Sequence, residues 1–495
     1  MRRISFLFLL FSYTVFSQDN LYKEKFRPQF HFTPPLHWIN DPNGLVYHKG
    51  TYHLFYQHNP MGIRWGHMSW GHATSKDLVH WKHLPVAIAE EKDTMIFSGT
   101  CIADFNNSSG FGKNGQTPLV AIYTGHIEGI NQSQHVAYSL DEGVTWKKHE
   151  ENPVLDLHKK DFRDPKIFWH DEKKYWVMLV MLPIEHLVQF YSSSNLKDWK
   201  HLSDFGPAGD TSGIWECPDL TRIPVEGEPG KKKWLLQMSV GASMQYFIGG
   251  FDGTRFINES TLNKIFRPDY GPDYYAAIAY NQLPDSIGPT VIGWVNNWSY
   301  ANDIPTMPWR GMMSLPRTLS VKKIDGDWLL FQRPVESLKS LRSDPIVSIS
   351  NAEIGKSKTL PITSQQFEIN AILEPSASST CGIKLAVGGA HEFEIGYNAT
   401  TQTLYMDRSK AGNIDFSPEF KKRFRSETKL LLNNRRLQLT VFFDHSIVEL
   451  FANDGRTVMT MQLFPGQQVS GVELFSNGGK TLIESLTIRN LRSCW

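Results

Sequence analysis

Ser-Lys-Asp-Leu-Val-His-Trp, residues 75–81, is a polar turn closed by a tryptophan, and related segments recur twice further on. They are Ser139-Leu140-Asp141-Glu142-Gly143-Val144-Thr145-Trp146 and Ser193-Ser194-Asn195-Leu196-Lys197-Asp198-Trp199, with closing tryptophans 65 and 53 residues apart. Each comes late in a block of short apolar or alternating runs, such as Thr51–Tyr56, Leu119–Tyr123, Tyr175–Leu182, Lys233–Val240 and Val291–Val295. These runs are rich in Val, Ile, Tyr, Phe and Trp and are broken by Gly, Pro, Asn and Asp. None sustains a helical period, so they read as β-strands. Units of four short strands at this interval are what a β-propeller produces, and about 300 residues at roughly 50 to 65 per unit predict five blades. In such a ring the first strand of every blade lines the central axis.

The chain divides into a five-bladed propeller over residues 28–337, a linker over 338–350 and a β-sandwich over 351–495. The second domain is read from renewed alternation in Phe367-Glu368-Ile369-Asn370, Leu437–Phe443, Val458–Leu463 and Leu482–Ile488. The fold class is therefore all-β. Residues 1–17, MRRISFLFLLFSYTVFS, have two arginines, an apolar stretch and a polar exit. They read as part of a secretory signal peptide over residues 1–18, too short to span a membrane, so the protein is expected to be exported to the periplasm or the medium. The cysteines Cys101, Cys217, Cys381 and Cys494 are far apart, and Cys381 and Cys494 could pair in an oxidising compartment.

Lys and Arg total 51 against 50 Asp and Glu. That balance argues against a nucleic-acid surface. The 18 histidines form no HExxH cluster, and no phosphate loop, nucleotide-binding glycine pattern or Gly-x-Ser-x-Gly elbow occurs. No metal and no organic cofactor is expected. The aromatic share, 13%, with Trp in polar contexts, instead suits a carbohydrate, whose C–H faces stack on rings and whose hydroxyls need paired polar contacts.

Acidic residues recur beside proline, each time ahead of a hydrophobic strand, at Asp41-Pro42, Asp164-Pro165 and Glu216-Cys217-Pro218-Asp219. On equivalent blade positions they would converge at one end of the axial cavity. Asp41 lies in Asn40-Asp41-Pro42-Asn43-Gly44, read as a tight turn whose N–H groups keep the carboxylate ionised. Glycoside hydrolysis with retention needs two carboxyl groups about 5 Å apart, a nucleophile and an acid/base. Aspartate is the stronger acid of the two residue types and suits the nucleophile, whereas glutamate suits the proton donor. Asp41 and Glu216 take these roles, with Asp164 gripping sugar hydroxyls and Arg163 balancing charge. Asp219 could compete with Glu216 for the acid, but Pro218 between them suits a strand-start residue better. Each carboxylate taken alone could equally be an ordinary capping residue of a turn. Phe97-Ser98-Gly99 and Tyr123-Thr124-Gly125 could line the cavity or form plain turns. Trp298 and Trp309 could be rim aromatics or packing.

These motifs closely resemble glycoside hydrolase family 32, the invertase, levanase and exo-inulinase group, over nearly the whole mature chain. Trp38-Ile39-Asn40-Asp41-Pro42-Asn43-Gly44, Phe162-Arg163-Asp164-Pro165 and Trp215-Glu216-Cys217-Pro218-Asp219 look like the family's three acidic boxes. The resemblance implies Asp41 as nucleophile, Asp164 as transition-state stabiliser and Glu216 as acid/base. It further implies Gln57, Trp65 and Ser98 at the fructosyl subsite, and Asn40, Arg163 and Trp298 complete the expected substrate-binding set. In the second domain, residues 443–451 resemble a family segment, and Asp407-Arg408-Ser409-Lys410-Ala411-Gly412 departs from its pattern only where Ala411 replaces a serine. The expected activity is a retaining, exo-acting β-D-fructofuranosidase on levan, inulin or sucrose. A fructosyltransferase with the same carboxylates and a non-catalytic fructan-binding protein are the alternatives.

Overall fold

A computed structural model describes residues 21–261, 263–388, 391–466 and 471–495. The expected export signal lies outside the described residues. Blade I consists of His37–His48, Thr51–Asn59, Ser69–Ser75 and Trp81–Ile88. Blade II has Thr94–Ala103, Leu119–Ile127, Asn131–Ser139 and Lys147–Lys148, and Leu155–Lys159 also pairs with its third strand. Blade III has Arg163–His170, Tyr175–Leu182, Leu187–Ser193 and Lys200–Phe205, and blade IV has Trp215–Pro224, Lys232–Val240, Ser243–Phe251 and Phe256–Asn258. Blade V has Tyr275–Ala279, Thr290–Val295, Arg317–Ile324 and Asp327–Pro334. Within blades the strands pair antiparallel. Trp309–Arg310, in a long excursion of blade V, pairs in parallel with His37 and Trp38 and so ties the last blade to the first.

The recurring Trp-closed turns join the third strand to the fourth in blades I, II and III. Their polar side chains satisfy backbone N–H groups that the strand ladder leaves behind. Ser75 Oγ accepts from the N–H of Leu78 (2.8 Å), Ser139 Oγ from Gly143 (2.9 Å) and Ser193 Oγ from Leu196 (2.9 Å). The following Asp77, Asp141 and Asn195 accept from Val79, Thr145 and Lys197.

The Asn40–Gly44 segment is not the hairpin turn expected of it. It lies inside the strand His37–His48, whose register slips between Ile39 and Pro42 and again between Asn43 and Val46. The chain reverses only after His48. Pro42, which has no N–H to give a ladder, stands at the edge of this bulge, a place where proline is tolerated within a strand. Gly44 has φ +55°, and a Cβ there would lie 2.7 Å from Phe55 and 2.9 Å from Trp70, so no larger residue fits.

The second domain stacks two six-stranded antiparallel sheets around one apolar core containing Phe367, Ile383, Phe393, Val441 and Ile488. The linker expected at 338–350 is a correction. Glu336–Leu341 forms a 3-10 helix, and the strand Arg342–Ile354 starts at once, pairing with the last strand, Thr481–Leu491, from Arg342 onward. Leu338 and Leu341 bury their side chains in a cluster that also holds Phe32, Ile39, Phe442 and Phe451, so the two domains share apolar packing. Cys381 and Cys494 do not pair. All four cysteines are free.

The two sandwich segments noted in the sequence hold the domains together. Asp444 accepts from the N–H groups of Gln29 (2.7 Å), Phe30 (2.9 Å) and His31 (3.1 Å) and contacts His31 Nδ1 at 2.8 Å. Glu449 meets His31 Nε2 at 3.2 Å and Arg317 of blade V at 2.7 Å. Arg408 reaches Asp273 at 2.7 Å. Every one of these charged groups is buried, so each depends on its partner to offset lost hydration.

Candidate active site

The innermost strand of every blade carries a register slip at the same depth: Ile39/Pro42, Ile96/Gly99, Arg163/Lys166, Glu216/Asp219 and Tyr275/Ile278. A bulge adds a residue to one strand and turns its side chains out of the ordinary alternation. Asp164 (φ +65°), Cys217 (φ +49°) and Ala276 (φ +52°) occupy the same bulge position in blades III, IV and V, all in the left-handed region that non-glycine residues seldom enter. Four of the re-aimed strands line one axial cavity, and the fifth reaches its wall through Tyr275, which contacts Glu216.

The bulges sort the polar residues into two tiers, which corrects the expectation that the three carboxylates are equivalent. Asp41, Ser98, Asp164 and Cys217 sit on the bulges. Arg163, Glu216 and Tyr275 each occupy the last paired position before one, a step nearer the mouth. The Glu216 side chain is 20% exposed, whereas Asp41 and Asp164 are 8% and 6% exposed as whole residues.

In the deep tier, the Ser98 hydroxyl donates to Oδ2 of Asp41 at 2.8 Å, and the Cys217 thiol lies 3.6 Å from the same oxygen. The Cys217 N–H donates to Oδ2 of Asp164 at 2.9 Å. Cys217 therefore touches both aspartates and adjoins Glu216 in the chain, which gathers the three carboxylates within one residue's reach. Asp164 is also held from behind, its N–H donating to Thr124 Oγ1 at 3.0 Å. In the upper tier, Arg163 Nε donates to Oε1 of Glu216 at 3.1 Å and its Nη1 donates to Asp161 (2.8 Å) and Gln132 (3.1 Å). The Tyr275 hydroxyl donates to Oε2 of Glu216 at 2.5 Å.

Electrostatics follow from this crowding. Burial, then the nearby Glu216 charge, pushes Asp41 up to about 6, although Ser98, Asn40 and Cys217 oppose the shift. The donors that favour its charge are side chains, not the turn N–H groups expected. Burial likewise raises Asp164, against the pull of Arg163 and with Glu216 and Asp41 adding to the rise. Arg163, although buried, is held firmly protonated by Glu216, Asp164 and Asp161.

The cavity has a volume of about 310 Å³, within the range of small-ligand sites. All nine residues singled out from the sequence line it: Asn40, Asp41, Gln57, Trp65, Ser98, Arg163, Asp164, Glu216 and Trp298. Trp65, 38% exposed, stands at the rim, and Trp298 packs against Trp294 and Trp38. Trp309 is fully buried and belongs to the packing. So do Trp38, Trp70 and Trp215, which means that much of the tryptophan excess is core and not sugar contact. Asp219 is fully buried, paired with Lys166 at 2.8 Å, and does not line the cavity. That ion pair, with Lys166 Nζ also donating to the Ala279 carbonyl, fills the axis beneath the carboxylates.

Sequence reasoning missed Tyr275, Cys217, His126, Glu128, Gln132 and Asp161. His126 stacks on Phe97 with ring centroids 4.2 Å apart and contacts Glu128 at 2.9 Å, forming the wall supplied by blade II. Tyr275 carried one usable signal, its place at the head of the innermost strand of its blade. The others carried none.

A five-bladed ring with a carboxylate-lined axial pocket, backed by a β-sandwich, defines a glycoside-hydrolase class of protein. Residues 31–334 match the family model for the glycosyl hydrolases family 32 N-terminal domain, and residues 337–490 match that for the family 32 C-terminal domain. The chain belongs to glycoside hydrolase family 32. It is 42% identical to a levanase of Bacillus subtilis (strain 168), over 100% of this chain and 75% of that protein. It is 39% identical to the extracellular exo-inulinase inuE of Aspergillus niger, over 96% of each chain. The crystal structure of exo-inulinase from Aspergillus awamori superposes with a TM-score of 0.91 at 36% identity, covering 96% of this chain and 100% of that one.

Proposed function

We propose that the protein is a retaining, exo-acting β-D-fructofuranosidase that releases terminal fructose from levan or inulin and from sucrose. The observation that carries this reading is the convergence of Asp41, Asp164 and Glu216 on one pocket plugged at its inner end by Lys166 and Asp219. Such a pocket receives a chain end, whereas an interior glycosidic bond needs an open cleft. The relatives named levanase and exo-inulinase support the same substrate class.

In this reading a terminal fructosyl unit enters the pocket, and Oδ1 of Asp41 attacks its anomeric C2. This oxygen is buried and has no hydrogen-bond partner among the described residues. Ser98 and Cys217 hold the other oxygen, Oδ2. As the C2–O bond to the leaving group breaks, Glu216 gives its proton to the departing oxygen. Its position nearer the mouth suits contact with the leaving group. Water then enters, Glu216 takes its proton, and the hydroxide attacks C2, freeing fructose and Asp41. Asp164 accepts hydrogen bonds from the fructosyl hydroxyls, and these strengthen as oxocarbenium-like charge develops. The extracellular relative and the basic-apolar leader agree with export; among the described residues no helix is long and apolar enough to cross a membrane.

The test is Asp41→Asn, purified free of deamidated protein. Turnover of sucrose and levan should drop by about 10²-fold or more with the fold intact. Near-normal turnover would remove Asp41 from the nucleophile's role. Product analysis of the parent enzyme should give fructose alone from the first time point. Early oligosaccharides would overturn the exo reading.

A further inference from the structure

The propeller axis has a second mouth. Four or five residues beyond the bulges, about 15 Å further along the extended strands, a cavity of about 440 Å³ opens on the face opposite the carboxylates. Its wall comes from the far ends of innermost strands, Ile102-Ala103, Phe168-Trp169 and Leu220-Thr221-Arg222, and from Tyr280–Leu283 after the fifth. It shares no lining residue with the catalytic pocket, and the Lys166–Asp219 pair stands between them.

Its chemistry is that of a sugar platform. Phe168 and Trp234 pack together with ring centroids 5.2 Å apart, Trp169 lies against Trp176 at 5.2 Å, and all but Trp176 keep part of their surface in solvent. Phe105 adds a ring that is 63% exposed. Around these rings stand Asn106, Asp171 and Arg222, all exposed. Among the described residues their side chains make no ion pair or hydrogen bond, although the Arg222 guanidinium lies 5.7 Å over the Trp234 ring. Exposed rings beside uncommitted donors and acceptors match the alternating C–H faces and hydroxyls of a carbohydrate.

We infer that this opposite mouth is a second, non-catalytic carbohydrate-binding site that takes a short stretch of a fructan chain and keeps polymeric substrate on the enzyme between cleavages. The identity of the sugar rests on the fructofuranosidase reading. The catalytic pocket grips one chain end, whereas a polymer has many fructosyl units and chain ends to offer. A remote platform therefore raises the local concentration of polymer without changing the chemical step. A disaccharide gains nothing from it.

The experiment compares the full-length parent with Phe105→Ala and Arg222→Ala, two exposed positions outside the catalytic machinery. Initial rates are measured on sucrose and on subsaturating levan and inulin. The expected result is unchanged kcat/KM on sucrose and a fall of about three-fold or more on at least one polymer, the size of a lost ring contact. In native gels containing levan, Glu216→Gln should be retarded even with sucrose in excess, and adding Phe105→Ala should abolish that retardation. Equal rates on polymer, or an equal fall on polymer and sucrose, would overturn the inference and leave the cavity a feature of packing. If the parent released no fructose from any fructan, the fructofuranosidase reading would fail first. An active parent with indifferent variants would sink the second site alone.

Discussion

The Tyr275 hydroxyl donates to Oε2 of Glu216 while Arg163 holds Oε1, so both oxygens of the proposed acid/base are claimed by blades on either side of it. A carboxylate gripped at both oxygens has one orientation, and proton transfer to a leaving group depends on orientation. Tyr275→Phe removes one hydrogen bond and retains the buried ring. It should lower kcat by roughly 10- to 100-fold, the worth of a hydrogen bond to a charged group, with a much smaller change in KM. Unchanged kcat would show that Arg163 suffices to orient Glu216.

Glu216→Ala supplies a sharper check of its two roles. Without the acid, hydrolysis of sucrose should collapse. A substrate with a good leaving group should still load Asp41, and added azide should then accelerate turnover because it needs no base. The product should be the fructosyl azide of retained configuration. The opposite anomer would mean direct displacement and no covalent intermediate.

The acid side of the pH profile should report the deep tier. The proposed nucleophile, Asp41, can attack only when ionised, and burial with the Glu216 charge holds it at about 6. kcat/KM should therefore fall as pH drops through about 6, more steeply than one group alone would give, because Asp164 is shifted in the same direction. Ser98→Ala deletes a donor that favours the Asp41 carboxylate, so its acid limb should move to higher pH. A limb that stays in place would mean that another group controls it.

Stability should respond to pH through the domain junction. Burial disfavours charging His31, but Asp444 and Glu449 outweigh it and raise His31 to about 9. A raised pKa stabilises the fold fully below about 6.5, and that contribution is lost as pH climbs through about 9. Glu449 runs the other way. Burial raises it, yet Arg317 and His31 overcome this and leave it below the usual 4.5. Its contribution is present above that value and vanishes as pH falls through the depressed one. Tm should decline on both flanks, and His31→Gln should remove the alkaline decline. His31→Ala should cost about 3 to 5 kcal/mol, because it leaves two buried carboxylates short of a partner.

Much of the propeller was legible because its cues are local. Alternation with a period of two marks strands such as Thr51–Asn59, and Ser75-Lys76-Asp77 caps its own turn within a few residues. The acidic-proline pairs were legible for the same reason, since proline and the residue before it are restricted whatever surrounds them. Asn40–Gly44 misled because its composition suits both a hairpin turn and a bulge, and the choice falls to strand Thr51–Asn59 across the ladder. The 338–350 stretch misled because the strand Arg342–Ile354 is a half-exposed sheet edge that opens on charged and proline residues, so its short Val347-Ser348-Ile349-Ser350 alternation is masked by a polar start.

The all-β character, the blade punctuation and the candidacy of the three acidic residues are written in contiguous stretches, where local pattern and backbone preference suffice. Long-range packing alone sets Glu216 a tier above Asp41 and Asp164, brings Cys217 and Tyr275 to them, and lets Asp444 and Glu449 weld the sandwich to the ring. Those relations arise where strands tens to hundreds of residues apart are brought into register. Bulge, burial and charge act there between groups that no local pattern connects.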